Sequence, residues 1–186
     1  MTLLLIFTIK SFSQDSKFSL ELNYPIPIDK NFVGENYDGI IDIGAKFRFV
    51  DLKLVNIGAS LNGGLLVNNT NDSNGSINVK VNSYLVQPRI FAELDSEIVK
   101  IHPFIGLGYT FMVFDASGTN NGFDVSGASE TQSGLNLNLG IAYDITNSVF
   151  VQVQYDYIKI KVDNGVPDMK YNTNVNILKI GIGYRL

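Results

Sequence analysis

From Phe18 to Leu186, apolar side chains recur at every second position in eight separate runs, and almost nothing recurs at helical spacing. A period of two sends alternate side chains to opposite faces of a strand, so the fold class is all-β. The first run holds Phe18, Leu20, Leu22, Tyr24 and Ile26, the second Ile41, Ile43, Ala45, Phe47 and Phe49, and the third Val55, Ile57, Ala59 and Leu61. The fourth begins Ile77, Val79, Val81 and changes phase near Asn82-Ser83 to Tyr84, Val86, Pro88, Ile90 and Ala92, which predicts a β-bulge. The fifth is Ile101, Pro103, Ile105, Leu107, Tyr109, Phe111 and Val113, followed by Leu135 to Tyr143, Val149 to Tyr157 and Leu178 to Leu186.

The connections alternate as well. Pro27 to Asp38, Val67 to Ser76, Asp115 to Ser133 and Asp163 to Thr173 are long and polar. Between them lie tight turns around Asp51, Asp95-Ser96-Glu97 and Thr146-Asn147-Ser148. An eight-stranded antiparallel up-and-down transmembrane β-barrel, with both termini periplasmic, short periplasmic turns and longer outer loops, requires that order.

Alternation alone does not say which face meets lipid, because a soluble lipocalin-like ligand binder alternates too. The intervening residues decide it. They include Glu21, Asn23, Asp42, Lys46, Arg48, Arg89, Glu93, Asn136, Asn138, Asp144, Gln152, Gln154, Asp156, Lys179 and Arg185, with seven glycines among them: Gly44, Gly58, Gly106, Gly108, Gly140, Gly181 and Gly183. Glycine weakens an exposed strand, but the interior of an eight-stranded barrel barely has room for side chains. The polar face is therefore read as the lumen, with glycine making space for Arg, Lys and Glu. On the opposite face, Tyr24, Phe49, Tyr109, Phe111, Tyr143, Tyr155, Tyr157 and Tyr184 stand toward strand ends, as aromatic girdles do.

Composition agrees with this reading. Charged residues are 17%, the mean hydropathy is +0.12, and no apolar run approaches the ~18 residues of a membrane helix. A net charge of -4 argues against nucleic acid as a partner, and the absence of cysteine excludes disulfides and thiolate metal sites. Leu3 to Ile9 is a short apolar run ahead of Ser11 and Ser13, which predicts a signal peptide over residues 1–14, shortened at its start, and a barrel domain over 15–186.

The chain ends Lys179-Ile180-Gly181-Ile182-Gly183-Tyr184-Arg185-Leu186. This resembles the C-terminal recognition signal of bacterial outer-membrane barrels, with Lys179, Gly181, Tyr184 and Leu186 in its fixed places and Leu where Phe is usual. His102-Pro103-Phe104-Ile105-Gly106-Leu107-Gly108-Tyr109 resembles the Pro-aromatic-x-Gly-x-Gly strand of the OmpA/OmpX-type small outer-membrane barrels. The resemblance spans about Lys17 to Leu186. It implies a monomer in the bacterial outer membrane, folded by the barrel-assembly machinery and surrounded by lipid and lipopolysaccharide. Its long loops would then meet an extracellular partner that the sequence does not identify.

Lumen charges are nearly balanced: Glu21, Asp42, Glu93, Asp144 and Asp156 against Lys46, Arg48, Arg89, Lys100, Lys179 and Arg185. Buried charges need partners, so an ion-pair network that plugs the lumen is expected. The alternative is a narrow porin-like channel, although a selective pore more naturally carries a ring of one sign. No catalytic, cofactor or metal site is expected. His102 stands alone, with Pro103 beside it and no serine two residues away, unlike the His and Ser of lipid-modifying barrel enzymes. Asn69 to Gly75 lacks the acidic spacing and closing Glu of a calcium loop. Asp29, Glu35, Asp38, Asp115, Asp124 and Glu130 are acids of the long loops, suited to divalent cations that bridge lipopolysaccharide, though solvated loops carry such charges in any case. The function expected is non-enzymatic, envelope-structural or surface-interacting.

Overall fold

The computed structural model describes residues 17–71, 77–94, 100–161 and 167–186. The expected signal segment, the turn Asp95 to Glu97 and the stretch from Asp72 to Ser76 lie outside the described residues, as does Asp163 at the start of the last connection.

Eight strands follow the eight apolar runs: β1 (Phe18–Ile28), β2 (Asp38–Asp51), β3 (Val55–Asn71), β4 (Ile77–Leu94), β5 (Ile101–Asn120), β7 (Ala128–Asp144), β8 (Val149–Lys161) and β9 (Asn174–Arg185). Each pairs antiparallel with its neighbours in sequence. The first and last pair from Ser19↔Arg185 to Ile28↔Asn176, which closes the ring and removes every sheet edge within it. A two-residue strand, β6 (Phe123–Asp124), folds back on the tip of β5 outside the ring. Short helices α1 (Phe32–Asn36) and α2 (Lys170–Thr173) complete the described elements. Both described termini, Lys17 and Leu186, sit at one end of the barrel with the short connections, and the Leu186 N–H donates to the Phe18 carbonyl at 2.9 Å. The opposite end carries the long connections and is called the loop end.

The faces divide as the sequence predicts. The lumen positions of every strand are buried or half-buried, including Glu21, Asp42, Lys46, Arg48, Arg89, Glu93, Asp156 and Lys179. The outer face leaves Ile43, Ile90, Leu107, Leu135 and Ile141 each more than half uncovered. An apolar surface continuous around a barrel suits hydrocarbon and would drive aggregation in water.

Four expectations need correction. No bulge interrupts β4: its pairing with β3 runs without a slip from Val55↔Leu94 to Asn71↔Asn78. The apolar set changes sides there because the lumen itself turns apolar toward the loop end, where Val81 and Leu85 point inward. The register shifts fall in β2 instead, at Ile40 and at Phe49. Ile40 and Ile41 both face outward, as two residues opposing one partner position require.

The second correction concerns the loops. Asn68 to Asn71, Ala116 to Asn120 and Ala128 to Gln132 remain paired strand, so the wall of β3, β4, β5 and β7 extends past the other strands. A membrane crossing needs only about 9–11 residues per strand. Beyond it the ladder continues without apolar alternation, because backbone pairing does not depend on it. Third, Lys100 is exposed and precedes β5, outside the lumen network.

Fourth, the lumen glycines make room for aromatic rings as well as for charges: Gly108 lies against Arg89 and Gly44 against Glu21, as expected, but three others face rings. A Cβ on Gly140 would sit 2.2 Å from Phe104, one on Gly183 2.1 Å from Phe150, and one on Gly58 2.6 Å from Phe91. These rings face inward on neighbouring strands, and only a hydrogen in place of a side chain lets them lie against the wall.

Candidate functional site: the ion-paired lumen

Two strands display the axial order of the lumen. From the turn end, β5 points His102, Phe104, Thr110 and Met112 inward, while β8 points Phe150, Gln152, Gln154, Asp156, Ile158 and Ile160. Aromatic, then polar and charged, then aliphatic residues follow one another along the axis.

At the turn end lies an open cleft of about 340 Å³, lined by Lys17, Arg48, Asn56, Glu93, His102, Asp144 and Arg185 among others. Arg48 makes a two-point contact with Glu93, Nε to Oε1 at 2.9 Å and Nη2 to Oε2 at 3.0 Å. His102 Nε2 lies 2.9 Å from Asp144 Oδ2, and Arg185 donates to the other carboxylate oxygen. Arg185 also stacks 4.7 Å over Phe150.

Deeper in, Lys46 Nζ contacts Glu21 Oε1 at 2.7 Å and lies 3.7 Å above the Phe104 ring. Lys179 Nζ bridges Asp42 at 2.6 Å and Asp156 at 3.0 Å and donates to Gln87 Oε1 at 2.7 Å. Arg89 Nη1 meets Asp156 at 2.9 Å. Amides fill the remaining acceptor positions: Asn23 and Asn62 donate to Asp42 at 2.9 and 2.8 Å, Asn138 to Asp156 at 2.7 Å, and Gln154 to Glu21 at 3.1 Å. Low local polarity makes each such contact stronger than in water and each missing one more costly.

The structure brings all ten proposed network residues together. Five carboxylates (Glu21, Asp42, Glu93, Asp144, Asp156) meet five cations (Lys46, Arg48, Arg89, Lys179, Arg185), which gives zero net charge and no ring of one sign among the described residues. Gln87 also belongs to the network, and its place two residues before Arg89 on a lumen-facing column is the sequence signal that marks it.

The residues of the C-terminal signal serve two faces. Lys179 is at the centre of the network, and Gly181 lies where a Cβ would meet Asn23 at 2.0 Å. Tyr184 and Leu186 are exposed on the outside.

At the loop end the lumen is filled by Leu66, Leu85, Met112, Ile158, Ile160, Val175 and Ile177, with Val33 of α1 inserted from above. The insertion is fixed locally. The Asn31 side chain accepts from Gly34 N at 2.8 Å, capping α1, and donates to the Ile28 carbonyl at 2.9 Å. Gly34 passes so near the backbone that a Cβ would lie 2.3 Å from the Asp29 carbonyl oxygen. Tyr37 packs edge-on to Phe114 at 5.8 Å, and burial pushes its hydroxyl pKa up to about 12. The sequence carried a sign of this plug toward one end of the strands: Leu65-Leu66-Val67 and Phe111-Met112-Val113-Phe114 are apolar on both faces, and Ile158 with Ile160 continue the polar column of β8 with apolar residues.

The description of one protein family, the outer membrane protein beta-barrel domain, matches residues 1–185. No curated protein matches the sequence. Among solved structures the fold is similar to Neisserial surface protein A, with a TM-score of 0.65, 15% identity, and 91% of this chain and 97% of that one covered. It is also similar to the attachment invasion locus protein Ail of Yersinia pestis in complex with the heparin analogue sucrose octasulfate, at 0.58, 13%, 91% and 96%. The N-terminal barrel domain of Pseudomonas aeruginosa OprF follows at 0.51, 12%, 89% and 96%. At such identities the likeness speaks for the fold alone, and the matching family description carries the rest. A closed eight-stranded ring with an apolar exterior and an ion-paired interior thus has its family: the chain belongs to the outer membrane protein β-barrel domain family, proteins of the bacterial outer membrane.

Proposed function

We propose that this protein is a non-catalytic surface barrel, closed to ions at rest, that acts through its loop end. In this reading the termini and short turns face the periplasm, the barrel-assembly machinery inserts the chain as a monomer, and the loops meet lipopolysaccharide and an extracellular partner. The observation that carries the reading is the double obstruction of the lumen. Six charged side chains pair across its middle, four more pair at the turn end, and an apolar plug held by α1 fills the loop end. A path for ions would have to break buried pairs at several kcal/mol each and withdraw Val33. The one histidine is engaged with Asp144, and no serine, threonine or cysteine lines its cleft among the described residues, which supports a role without nucleophilic chemistry.

Planar-bilayer recording tests the proposal. The wild-type barrel is expected to give no stepwise conductance. Discrete openings altered by Asp42→Asn or Arg89→Gln would replace it with the narrow-channel reading. A lipid-remodelling activity abolished by His102→Ala would replace it with an enzymatic one.

A further inference from the structure

The outward face of β8 is graded along the membrane normal. From the turn end it reads Val149, Val151, Val153, Tyr155, Tyr157, Lys159, Lys161. Aliphatic side chains suit the hydrocarbon, the two tyrosines suit the interface, and the two lysines stand one step beyond, where head groups lie. Among the described residues β8 alone ends its outward column in two cations.

The neighbours of these lysines suit an anion. Lys159 Nζ donates to Thr173 Oγ1 and Asn174 Oδ1, which ties it to α2, the helix that begins with exposed Lys170. On the other side Lys161 pairs with Ser133 of β7. Among the described residues none of the three ammonium groups contacts a carboxylate, whereas all five lumen cations do. The acids tied into this corner are engaged by neutral donors, Asp29 by Asn176 at 2.8 Å and Glu35 by Tyr171 at 3.0 Å. The rest of the loop end is acidic, with seven carboxylates against five lysines in all among the described residues. What sets this sector apart among the described residues is therefore that three of the five loop-end lysines gather there, with Asp168 the one described acid of the connection beside them, directly above a tyrosine pair.

We propose that Lys159, Lys161 and Lys170 form a docking site for the phosphate of an outer-leaflet glycolipid, with Tyr155 and Tyr157 beside its sugar and upper acyl chains. The inference rests on the reading that the loop end faces outward. Lysine is suited to this task because its long stem lies along apolar surface while its ammonium reaches the phosphate level. Each such cation near a charged head group strengthens attachment measurably, and three acting together give a preferred sector rather than a uniform collar.

The test uses the full chain in an uncharged detergent, titrated with bis-phosphorylated lipid A and with the same lipid stripped of phosphate, with bound lipid read by native mass spectrometry. The expected result is retention of the phosphorylated lipid, and binding weaker by about tenfold or more both for the stripped lipid and for the triple variant K159Q/K161Q/K170Q. The turn-end control K53Q/K100Q should bind like wild type, and excess inorganic phosphate should leave the lipid in place. Equal binding by the triple variant, or equal binding of the stripped lipid, would overturn the proposal. Displacement by inorganic phosphate would overturn it in favour of a soluble-anion site. The unboiled gel band reports that each variant is folded. Labelling of Asn121→Cys on intact cells by an impermeant maleimide checks orientation separately: labelled loops with no lipid binding refute the site alone, and unlabelled loops refute the orientation.

Discussion

Replacing Lys179 with methionine should remove the keystone of the lumen. Its ammonium contacts Asp42 at 2.6 Å and Asp156 at 3.0 Å, and all three side chains are 1% exposed or less. The lumen now balances five carboxylates against five cations; the variant would leave five against four, an uncompensated buried negative charge. Breaking a buried pair from one side costs about 3–5 kcal/mol, because the desolvated partner stays behind. Asp156 keeps Arg89 and Asn138, and Asp42 keeps only two amide donors, Asn23 and Asn62, so the loss concentrates on Asp42. The double variant K179M/D42N restores balance at four against four, and every remaining charge keeps its partner. It should therefore lie within about 1–2 kcal/mol of wild type, since a buried pair and a neutral replacement differ little in net stability. Urea titration in lipid vesicles, followed by the fraction of fast-migrating unboiled band, gives both numbers. A cost below about 1 kcal/mol for Lys179→Met, or a double variant that costs the sum of the two singles, would refute the reasoning.

Gly140→Ala and Gly183→Ala should each destabilise the barrel by about 1–3 kcal/mol, because their new methyl groups would meet Phe104 and Phe150. Gly63→Ala, with open space around it, should be neutral or mildly stabilising, and the same urea titration compares the three. Val33→Asp should place an unpaired charge in the loop-end plug. Limited proteolysis should then cut near α1 while the heat-shifted band persists, and an uncut α1 would contradict the plug. Tyr37 should titrate near pH 12 in an absorbance titration. Since its folded pKa lies above that of the unfolded chain, its contribution is full below pH 10 and is lost as pH rises toward about 12. Tyr37→Phe should remove that part of the alkaline loss.

The barrel was legible because each strand is chemically two-sided: Leu135, Leu137 and Leu139 alternate with Asn136 and Asn138, and the glycines and charges of the polar face mark it as a crowded interior. The charged members of the lumen were legible for the same reason, since parity alone puts Asp42, Lys46 and Arg48 on one face. Which acid meets which base was not. Glu93 meets Arg48 over the intervening β3, from 45 residues away in sequence, and that choice depends on strand tilt and side-chain reach, which alternation does not encode. The plug was misread at Val79 and Val81 because an inversion of the lumen's polarity and a one-residue slip of the backbone give the same local pattern. Only the matching inversions at Met112, Ile158 and Ile177 separate the two. The strands beyond the membrane resemble loops in the sequence because Asn, Thr and Ser in a paired ladder look like turn residues when read alone.

The chain contains no tryptophan, so a single one introduced at a chosen site reports on its own surroundings. The measurement that tests the account most directly places it at Val153, Leu139 or Ile180 on the outer face, and at Phe104 or Phe150 in the lumen, in vesicles of lipid brominated along the acyl chain. Strong quenching at the three outer sites and little at the two lumen sites is the predicted result. Quenching of the lumen sites, or none at the outer ones, would mean that the apolar face is not the one that meets lipid.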